Sequence, residues 1–135
     1  MGALLRLAAC FGVALDVVEP CGFVWSDARM RRAGMDYAQS VTVERHHDWH
    51  ALRARETRIV LLSTKGVTRL PDFGFAAEDT LLLGSESAGV PVGVAEACEA
   101  VVRIPMRPEL RSLNIAVAAG IALSEALRQT GGYPA

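Results

Sequence analysis

Apolar and polar positions in the first half of the chain are arranged in blocks that predict short helices and strands. Residues 3–11 have a helical composition, and Gly12 follows them as a C-cap, so we predict a first helix there. Residues 14–19 have a strand-like pattern that is closed by Pro20. The other elements predicted in this half are a short polar helix around residues 27–33, a short strand at residues 41–43 and a helix over residues 46–56.

Three later runs are apolar at successive positions and do not alternate. They occupy residues 58–63, 80–84 and 100–104. Continuous apolar runs are typical of strands that are buried on both faces of a parallel sheet. Helices are predicted at residues 92–97 and 113–128, so strands and helices follow one another along the chain. This order predicts an α/β domain with a mostly parallel sheet and right-handed crossovers.

Length and charge limit the class of protein further. The chain has 135 residues, of which 51% are hydrophobic, and we expect one domain over residues 1–135. A formal net charge of -1 excludes a generally basic surface, so an RNA partner would be held by a local patch. Residues 1–65 carry nine basic and seven acidic side chains, residues 66–102 one and six, and residues 103–135 four and two. The two ends are therefore the candidate surfaces for a polyanion.

Cysteine usage and hydropathy bear on location. The three cysteines are an odd number without CxxC spacing, which favours neither a disulfide framework nor a zinc site. We therefore expect a reducing, cytoplasmic compartment. No apolar run approaches the roughly 20 residues that a membrane span needs, and the opening residues lack the cleavage pattern of a signal peptide. We expect neither a membrane anchor nor a targeting segment.

A histidine cluster raises the question of a metal site. His46 and His50 are four residues apart, which would place them on one face of the predicted helix. No Cys or Glu ligand set accompanies them, so the start of a surface helix is the favoured interpretation. We assign no metal.

The last predicted helix has few polar positions on any face. Residues 115–123 are almost entirely apolar or small, so we expect the helix to be buried nearly all round. An apolar helix with small residues also suits a subunit interface, which favours a homodimer.

The loops after the three apolar runs are the candidate ligand site. Ligands of parallel sheets bind at the carboxyl ends of the strands, and residues 63–66, 84–89 and 105–114 occupy that position. The glycines of the middle loop permit a close backbone approach to a ligand or a tight turn, and glycine content alone favours the turn. No Walker A, GxGxxG, HExxH or GxSxG motif is present.

Taken together, the three loops resemble a known family. The sequences at residues 62–66 (LSTKG), 83–91 (LGSESAGVP), 104–108 (IPMRP) and 111–114 (RSLN) resemble the motif series of the SPOUT superfamily of RNA methyltransferases. Residues 18–23 and 31–37 are similar to the small, single-domain tRNA 2'-O-methyltransferases of the TrmH family, which modify the wobble cytidine or uridine of leucine tRNAs. The resemblance covers nearly the whole chain.

The resemblance implies a C-terminal trefoil knot in the α/β domain, with S-adenosylmethionine bound in a bent conformation on the knot. Such knots are rare exceptions to the usual unthreaded topology. The residues that the family pattern places around the cofactor are Leu62, Gly84, Ile104, Ser112 and Leu113. The motif residues that it implies for the substrate or for holding the knot loops are Glu86, Arg111 and Asn114.

Arg6 is the candidate catalytic residue that the resemblance implies. It matches the arginine of an Asn-x-Gly-x-x-x-Arg family motif in which Gly2 is the glycine. A ribose 2'-hydroxyl must attack the methyl carbon of a sulfonium, so the enzyme has to align the two groups and assist loss of the hydroxyl proton. Because arginine side chains stay protonated, we expect Arg6 to anchor the phosphate and the hydroxyl. An ordinary amphipathic-helix arginine is the alternative.

The expected function is S-adenosylmethionine-dependent 2'-O-methylation of the wobble nucleotide of leucine tRNA by a homodimer in which an arginine of one subunit completes the site of the other. Family members begin with a strand and a loop ending in Asn-Thr-Gly, whereas this chain opens at Met1 and Gly2, so we expect an N-terminally truncated domain without the first strand. Three alternatives stay open: a non-catalytic RNA-binding remnant, an enzyme for another tRNA or rRNA ribose, and a nucleotide-binding α/β protein that binds no RNA.

Overall fold

The computed structural model describes residues 2–19, 41–85, 89–110 and 113–135. These residues divide into two compact units, one within Met1–Arg55 together with Pro134–Ala135 and the other within Glu56–Tyr133. The polar helix predicted around residues 27–33 lies outside the described residues.

The described part of the first unit contains two helices and two parallel strands. Helix α1 spans Gly2–Phe11, strand β1 spans Leu15–Val18, strand β2 spans Val43–His46 and helix α2 spans Trp49–Arg53. The predicted stop of α1 is confirmed, because Gly12 has a φ of 67° and the two hydrogen bonds of a Schellman motif close the helix end. Strands β1 and β2 pair in parallel over their full length. The buried apolar side chains of this unit are Leu5, Ala8, Val17 and Leu52.

The predicted bounds of β2, residues 41–43, and of α2, residues 46–56, are wrong at both ends. Strand β2 runs to His46, three residues beyond the predicted strand at residues 41–43, and α2 begins at Trp49 instead of His46. Pairing with β1 places His46 opposite Val18, and its imidazole Nε2 lies 2.9 Å from Asp16 Oδ1. Asp48 then caps α2 by accepting a hydrogen bond from the Ala51 N–H at 2.9 Å. His46 and His50 therefore do not share a helical face.

The second unit is built on a four-stranded parallel sheet. Strand β3 spans Ile59–Leu62, β4 Thr68–Arg69, β5 Thr80–Leu83 and β6 Ala100–Arg103. The order across the sheet is β4-β6-β3-β5, so the three predicted apolar runs are adjacent strands. A 3-10 turn spans Leu70–Asp72, helix α3 spans Val92–Ala97 and helix α4 spans Ile115–Thr130.

The core of the second unit lies between the sheet and α4. Its buried members are Val60, Leu70, Val102 and Ala122, and Phe73 and Phe75 pack against them with their rings 4.8 Å apart and edge to face. Burying such apolar groups is the main favourable contribution to the free energy of folding. The core fixes the sheet whose edge carries the candidate site.

Strand β6 is inserted between β3 and β4, although β3 and β4 are consecutive in the sequence. The segment that joins β3 to β4 passes so close to β6 that a Cβ on Gly66 would lie 2.6 Å from the carbonyl carbon of Val102. Only a residue without a side chain fits at such a crossing. A later strand thus lies between two earlier ones.

The last helix is well capped and only partly buried. Asn114 Oδ1 accepts hydrogen bonds from the Ala116 and Val117 N–H groups at 2.9 and 3.4 Å, and Gly131 ends the helix with a φ of 68°. Val117 and Ile121, one turn apart, expose 51% and 40% of their surfaces. The expectation of burial nearly all round is therefore wrong for the isolated chain, because α4 packs on one side only. No helix in the described part of the chain is long and apolar enough to cross a membrane.

Candidate active site

The carboxyl ends of β3, β5 and β6 lie side by side. Leu62 at the end of β3 pairs with Leu83 of β5 on one side and with Val102 of β6 on the other. Gly84 directly follows β5 and Ile104 directly follows β6. Neighbouring strands are about 4.8 Å apart, so both residues flank Leu62 at one edge of the sheet. The prediction that the segments after these strands lie at one edge of the sheet is confirmed, and the roles of Leu62, Gly84 and Ile104 toward a cofactor stay predictions.

The side chains at this edge leave mainly backbone groups for a ligand. Leu62 and Ile104 are half-buried and pack against the core of the second unit. The polar groups that they can offer are therefore their N–H and C=O groups. Apolar walls with a few backbone donors and acceptors suit a flat heteroaromatic ring such as adenine.

The loop after β5 folds back on itself over Gly84. The Gly89 N–H donates to the Ser85 carbonyl at 2.9 Å, and the Ser85 N–H donates to the Gly89 carbonyl at 3.2 Å. A Cβ on Gly84 would lie 2.7 Å from the Cα and the carbonyl carbon of Gly89. Real Cβ atoms do not approach so closely, so the closed loop requires glycine at this position. Glu86 lies outside the described residues.

The remaining motif residues precede the last helix. Leu113 exposes 37% of its surface, and Asn114 is the N-cap of α4, a structural role that sequence reasoning did not assign to it. Arg111 and Ser112 lie outside the described residues. The roles proposed for these four residues toward a ligand stay predictions.

An ion pair that sequence reasoning missed supports the strands from the opposite end of the sheet. Arg58, next to the start of β3, donates two hydrogen bonds to Asp79, next to the start of β5. Burial acts to raise the pKa of the Asp79 carboxyl, but hydrogen bonds from Arg58 and the Ala76 N–H outweigh it and hold the pKa below its ordinary value. The hydrogen bond to Asp79 in turn raises the pKa of Arg58.

Arg6 lies on the exposed side of α1, while Leu5 and Ala8 of the same helix are buried. Its side chain is therefore accessible to a large ligand such as RNA. The catalytic role of Arg6 stays a prediction.

A second titratable cluster lies in the first unit. Asp16, Glu44 and His46 each place one potential ligand atom within 4.8 Å of the others. The Arg55 guanidinium donates to Asp16 at 2.8 Å and lies 3.9 Å from the Glu44 carboxylate. A guanidinium therefore already supplies positive charge to both carboxylates. The expectation of no metal stays a prediction.

Comparison with solved structures identifies the fold of the chain. A structure of an AdoMet-bound rRNA methyltransferase from Sinorhizobium meliloti superimposes with a TM-score of 0.82 at 28% identity and covers 94% of this chain and 50% of that one. A second solved structure, from work on the 2-OH methylation of C/U34 on tRNA, has a TM-score of 0.87 at 39% identity and covers 95% and 86%. The chain thus has the fold of the SPOUT methyltransferases.

The sequence comparisons identify the family to which the chain belongs. The model of the SpoU rRNA Methylase family matches residues 1–124. A tRNA (cytidine(34)-2'-O)-methyltransferase of Beijerinckia indica is 52% identical over 134 residues, which are 96% of this chain and 84% of that protein. This chain belongs to the SpoU rRNA Methylase family.

Proposed function

We propose that this protein is an S-adenosylmethionine-dependent 2'-O-methyltransferase that acts on the wobble nucleotide, position 34, of leucine tRNA. The observation that carries the proposal is the 52% identity, over 96% of the chain, to a tRNA (cytidine(34)-2'-O)-methyltransferase. The side-by-side ends of β3, β5 and β6 support it, because they supply the place where a cofactor would bind.

The residues at the sheet edge fit the cofactor. Leu62 and Ile104 provide apolar surface and backbone hydrogen-bonding groups for the adenine ring, and Gly84 keeps the middle loop closed beside them. The family pattern adds Leu113 and Ser112 to the residues that would hold the cofactor. When bound, S-adenosylmethionine supplies a methyl group made electrophilic by the attached sulfonium.

The chain's own residues orient the attacking hydroxyl. Arg6 donates hydrogen bonds to the ribose 2'-oxygen and a neighbouring phosphate, which stabilises the negative charge that develops on that oxygen. The 2'-oxygen forms a bond to the methyl carbon as the carbon–sulfur bond breaks, and the hydroxyl proton passes to solvent. Because arginine stays protonated, Arg6 acts by positioning and charge rather than as a base.

The proposed active form is a homodimer in which Arg6 of one subunit completes the pocket of its partner. The exposed Val117 and Ile121 side chains of α4 support this assembly, since an apolar stripe of this kind suits a helix-to-helix subunit interface. The proposed location is the cytoplasm, in keeping with Cys10 and Cys98, neither of which forms a disulfide.

A methyl-transfer assay tests the proposed function. The purified chain is incubated with S-adenosylmethionine and a leucine tRNA transcript, and the tRNA is digested for mass spectrometry. We expect one 2'-O-methylated nucleoside, at position 34. A matched transcript with 2'-deoxycytidine at position 34 lacks the nucleophile and should remain unmethylated. Methylation of another ribose, or tRNA binding without transfer, would contradict the proposal.

A further inference from the structure

Two arginines are direct neighbours on adjacent strands of the second unit. Arg69 of β4 and Arg103 of β6 are register partners in a parallel pair. Registered residues extend from the same face of a sheet, and their strands are about 4.8 Å apart. Like charges in this arrangement repel one another and destabilise the pairing.

The surrounding protein neutralises this pair only weakly. Arg69 forms an ion pair with Asp72 at 3.3 Å, but the two side chains are 50% and 60% exposed, so the pair contributes little. Among the described residues, Arg103 has no ion pair and donates one long hydrogen bond, 3.5 Å, to the Gly66 carbonyl. Among the described residues, two positive charges on neighbouring strands are therefore matched by one exposed carboxylate, that of Asp72.

A third positive charge lies beside them. Gly66 packs directly against the Val102–Arg103 peptide, with an added Cβ only 2.8 Å from the Arg103 nitrogen. Its neighbour Lys65 is exposed and is therefore brought to the same corner of the sheet. We call Lys65, Arg69 and Arg103 the basic corner.

Part of the basic corner lies in an otherwise acidic segment of the chain. The basic corner also lies next to the proposed pocket. Residues 66–102 carry one basic and six acidic side chains, so Arg69 is the single positive charge of an otherwise acidic stretch. Arg103 directly precedes Ile104, and Lys65 follows Leu62 by three residues. An anion held here would lie beside the ligand edge of the sheet.

We propose that the basic corner binds a backbone phosphate of the RNA substrate. The forked guanidinium of arginine matches two phosphate oxygens at once, and a bound phosphate would relieve the repulsion between Arg69 and Arg103. The inference rests on the proposed RNA methylation, and it assigns to these residues the positioning of the substrate next to the pocket.

The test compares tRNA binding by the wild-type chain and by the double variant R69Q/R103Q over a range of salt concentrations. Each lost phosphate contact lowers the slope of log K against log salt by about 0.7 for single-stranded RNA. We expect the double variant to bind leucine tRNA at least roughly tenfold more weakly and to lose about 1 to 2 units of slope. Its affinity for S-adenosylmethionine, measured by calorimetry, should equal that of the wild type and shows that the variant is folded.

Two control variants make the test specific. R128Q removes one positive charge from an exposed ion pair on α4 and should leave the salt slope unchanged. R69K/R103K keeps both charges and should retain the slope, even though the forks are lost.

Several outcomes would overturn the inference. An unchanged slope in R69Q/R103Q, with tRNA binding and methylation intact in the wild type, would refute the basic corner alone. If R69Q/R103Q bound S-adenosylmethionine more weakly while its salt slope for tRNA binding was unchanged, the basic corner would bind the carboxylate of the cofactor instead of an RNA phosphate. A wild-type chain that binds no tRNA would refute both this inference and the proposed function.

Discussion

The Arg58 guanidinium donates from Nε and Nη2 to the two carboxylate oxygens of Asp79, at 2.7 and 2.6 Å. The Asp79 side chain exposes only 5% of its surface, and Arg58 also donates to the Gly74 carbonyl and lies 5.2 Å from the centre of the Phe73 ring. This ion pair joins the starts of β3 and β5 to the loop that precedes β5. It therefore has consequences for stability that can be measured.

Replacing Asp79 with Asn should lower the free energy of unfolding by about 2 kcal/mol at pH 7, because a charged, bidentate hydrogen-bonded pair is lost. Urea unfolding followed by circular dichroism measures the change. The matched control is Asp72→Asn, whose carboxylate is 60% exposed and pairs with Arg69, and it should change the free energy by less than about 0.5 kcal/mol. Equal effects of the two variants would contradict this interpretation.

The same pair predicts a pH dependence. The pKa of Asp79 is lowered in the folded state, so its contribution to stability is complete above the unfolded pKa of about 3.9 and is lost as the pH falls through the folded value. The wild type should lose more stability than Asp79→Asn between pH 6 and pH 3. Parallel stability curves for the two proteins would show that the carboxylate does not contribute.

Substituting Gly84 with Ala should weaken cofactor binding. The new Cβ would lie 2.7 Å from the Gly89 backbone, so the loop must open, at a cost of about 1–3 kcal/mol. We expect the Kd for S-adenosylmethionine, measured by calorimetry, to rise by roughly fivefold to hundredfold. Gly93→Ala on α3 is the control, since nothing lies within 4 Å of its added Cβ, and its Kd should match the wild type. If Gly84→Ala bound S-adenosylmethionine as tightly as the wild type, this loop would not form part of the cofactor pocket.

Replacing Arg6 with Ala should lower the rate of methyl transfer by at least about 100-fold, because charge stabilisation at the 2'-oxygen is lost. The affinity for S-adenosylmethionine should change little. Arg45→Ala removes a comparable exposed arginine that pairs with Glu19 and should stay active. An active Arg6→Ala protein would remove Arg6 from the mechanism.

Mixing Arg6→Ala with Gly84→Ala, at a cofactor concentration well below the raised Kd of Gly84→Ala, tests whether subunits share their sites. A heterodimer of Arg6→Ala and Gly84→Ala subunits contains one site with an intact pocket and an intact Arg6, but only if Arg6 acts across the interface. Statistical exchange of subunits should then restore about a quarter of the wild-type activity. No recovery in a mixture that is shown to contain heterodimers would place Arg6 and the pocket in the same subunit.

The exposed stripe on α4 predicts how the assembly can be disrupted. A charge at Val117 or Ile121 would have to be buried in the proposed interface without a partner, which is costly. Val117→Glu should therefore be a monomer by light scattering at concentrations where the wild type is a dimer. Val92→Glu places the same charge at another exposed valine, which is 75% accessible, and should remain dimeric. A dimeric Val117→Glu protein would exclude this face as the interface.

The elements that sequence reasoning predicted well are those with a local signal. The apolar run around Ile59–Leu62 is buried on both faces and its composition alone predicts a strand, and Gly12 marks the end of α1. Strand β4 was missed because Thr68–Arg69 is two residues long and forms only by pairing with β6, more than 30 residues later. Short elements of this kind are created by tertiary contacts.

The errors in the first unit have a similar cause. His46 belongs to β2 because it pairs with β1 and bonds to Asp16, which lies 30 residues away. The Asp48 N-cap is a local signal that would have placed the start of α2 correctly. For the last helix, an apolar composition predicts that the helix is shielded from water. It does not distinguish burial in the core of one chain from burial in an interface between two chains.

One part of the candidate site could be predicted from the sequence on physical grounds, and another part could not. Parallel strands bring their carboxyl ends to one edge, so the loops after β3, β5 and β6 could be placed at that edge, whereas Leu62, Gly84 and Ile104 were singled out by the resemblance to the family. The basic corner could not be found in this way, because the pairing of Arg69 with Arg103 depends on the insertion of β6 between β3 and β4.

A crystal structure of the chain grown with S-adenosylmethionine tests the central claim most directly. The adenine ring should lie at the carboxyl edge of the second unit's sheet, with hydrogen bonds to backbone groups of the loops after β3, β5 and β6. A cofactor bound away from Leu62, Gly84 and Ile104, or none bound at saturating concentration, would contradict the account.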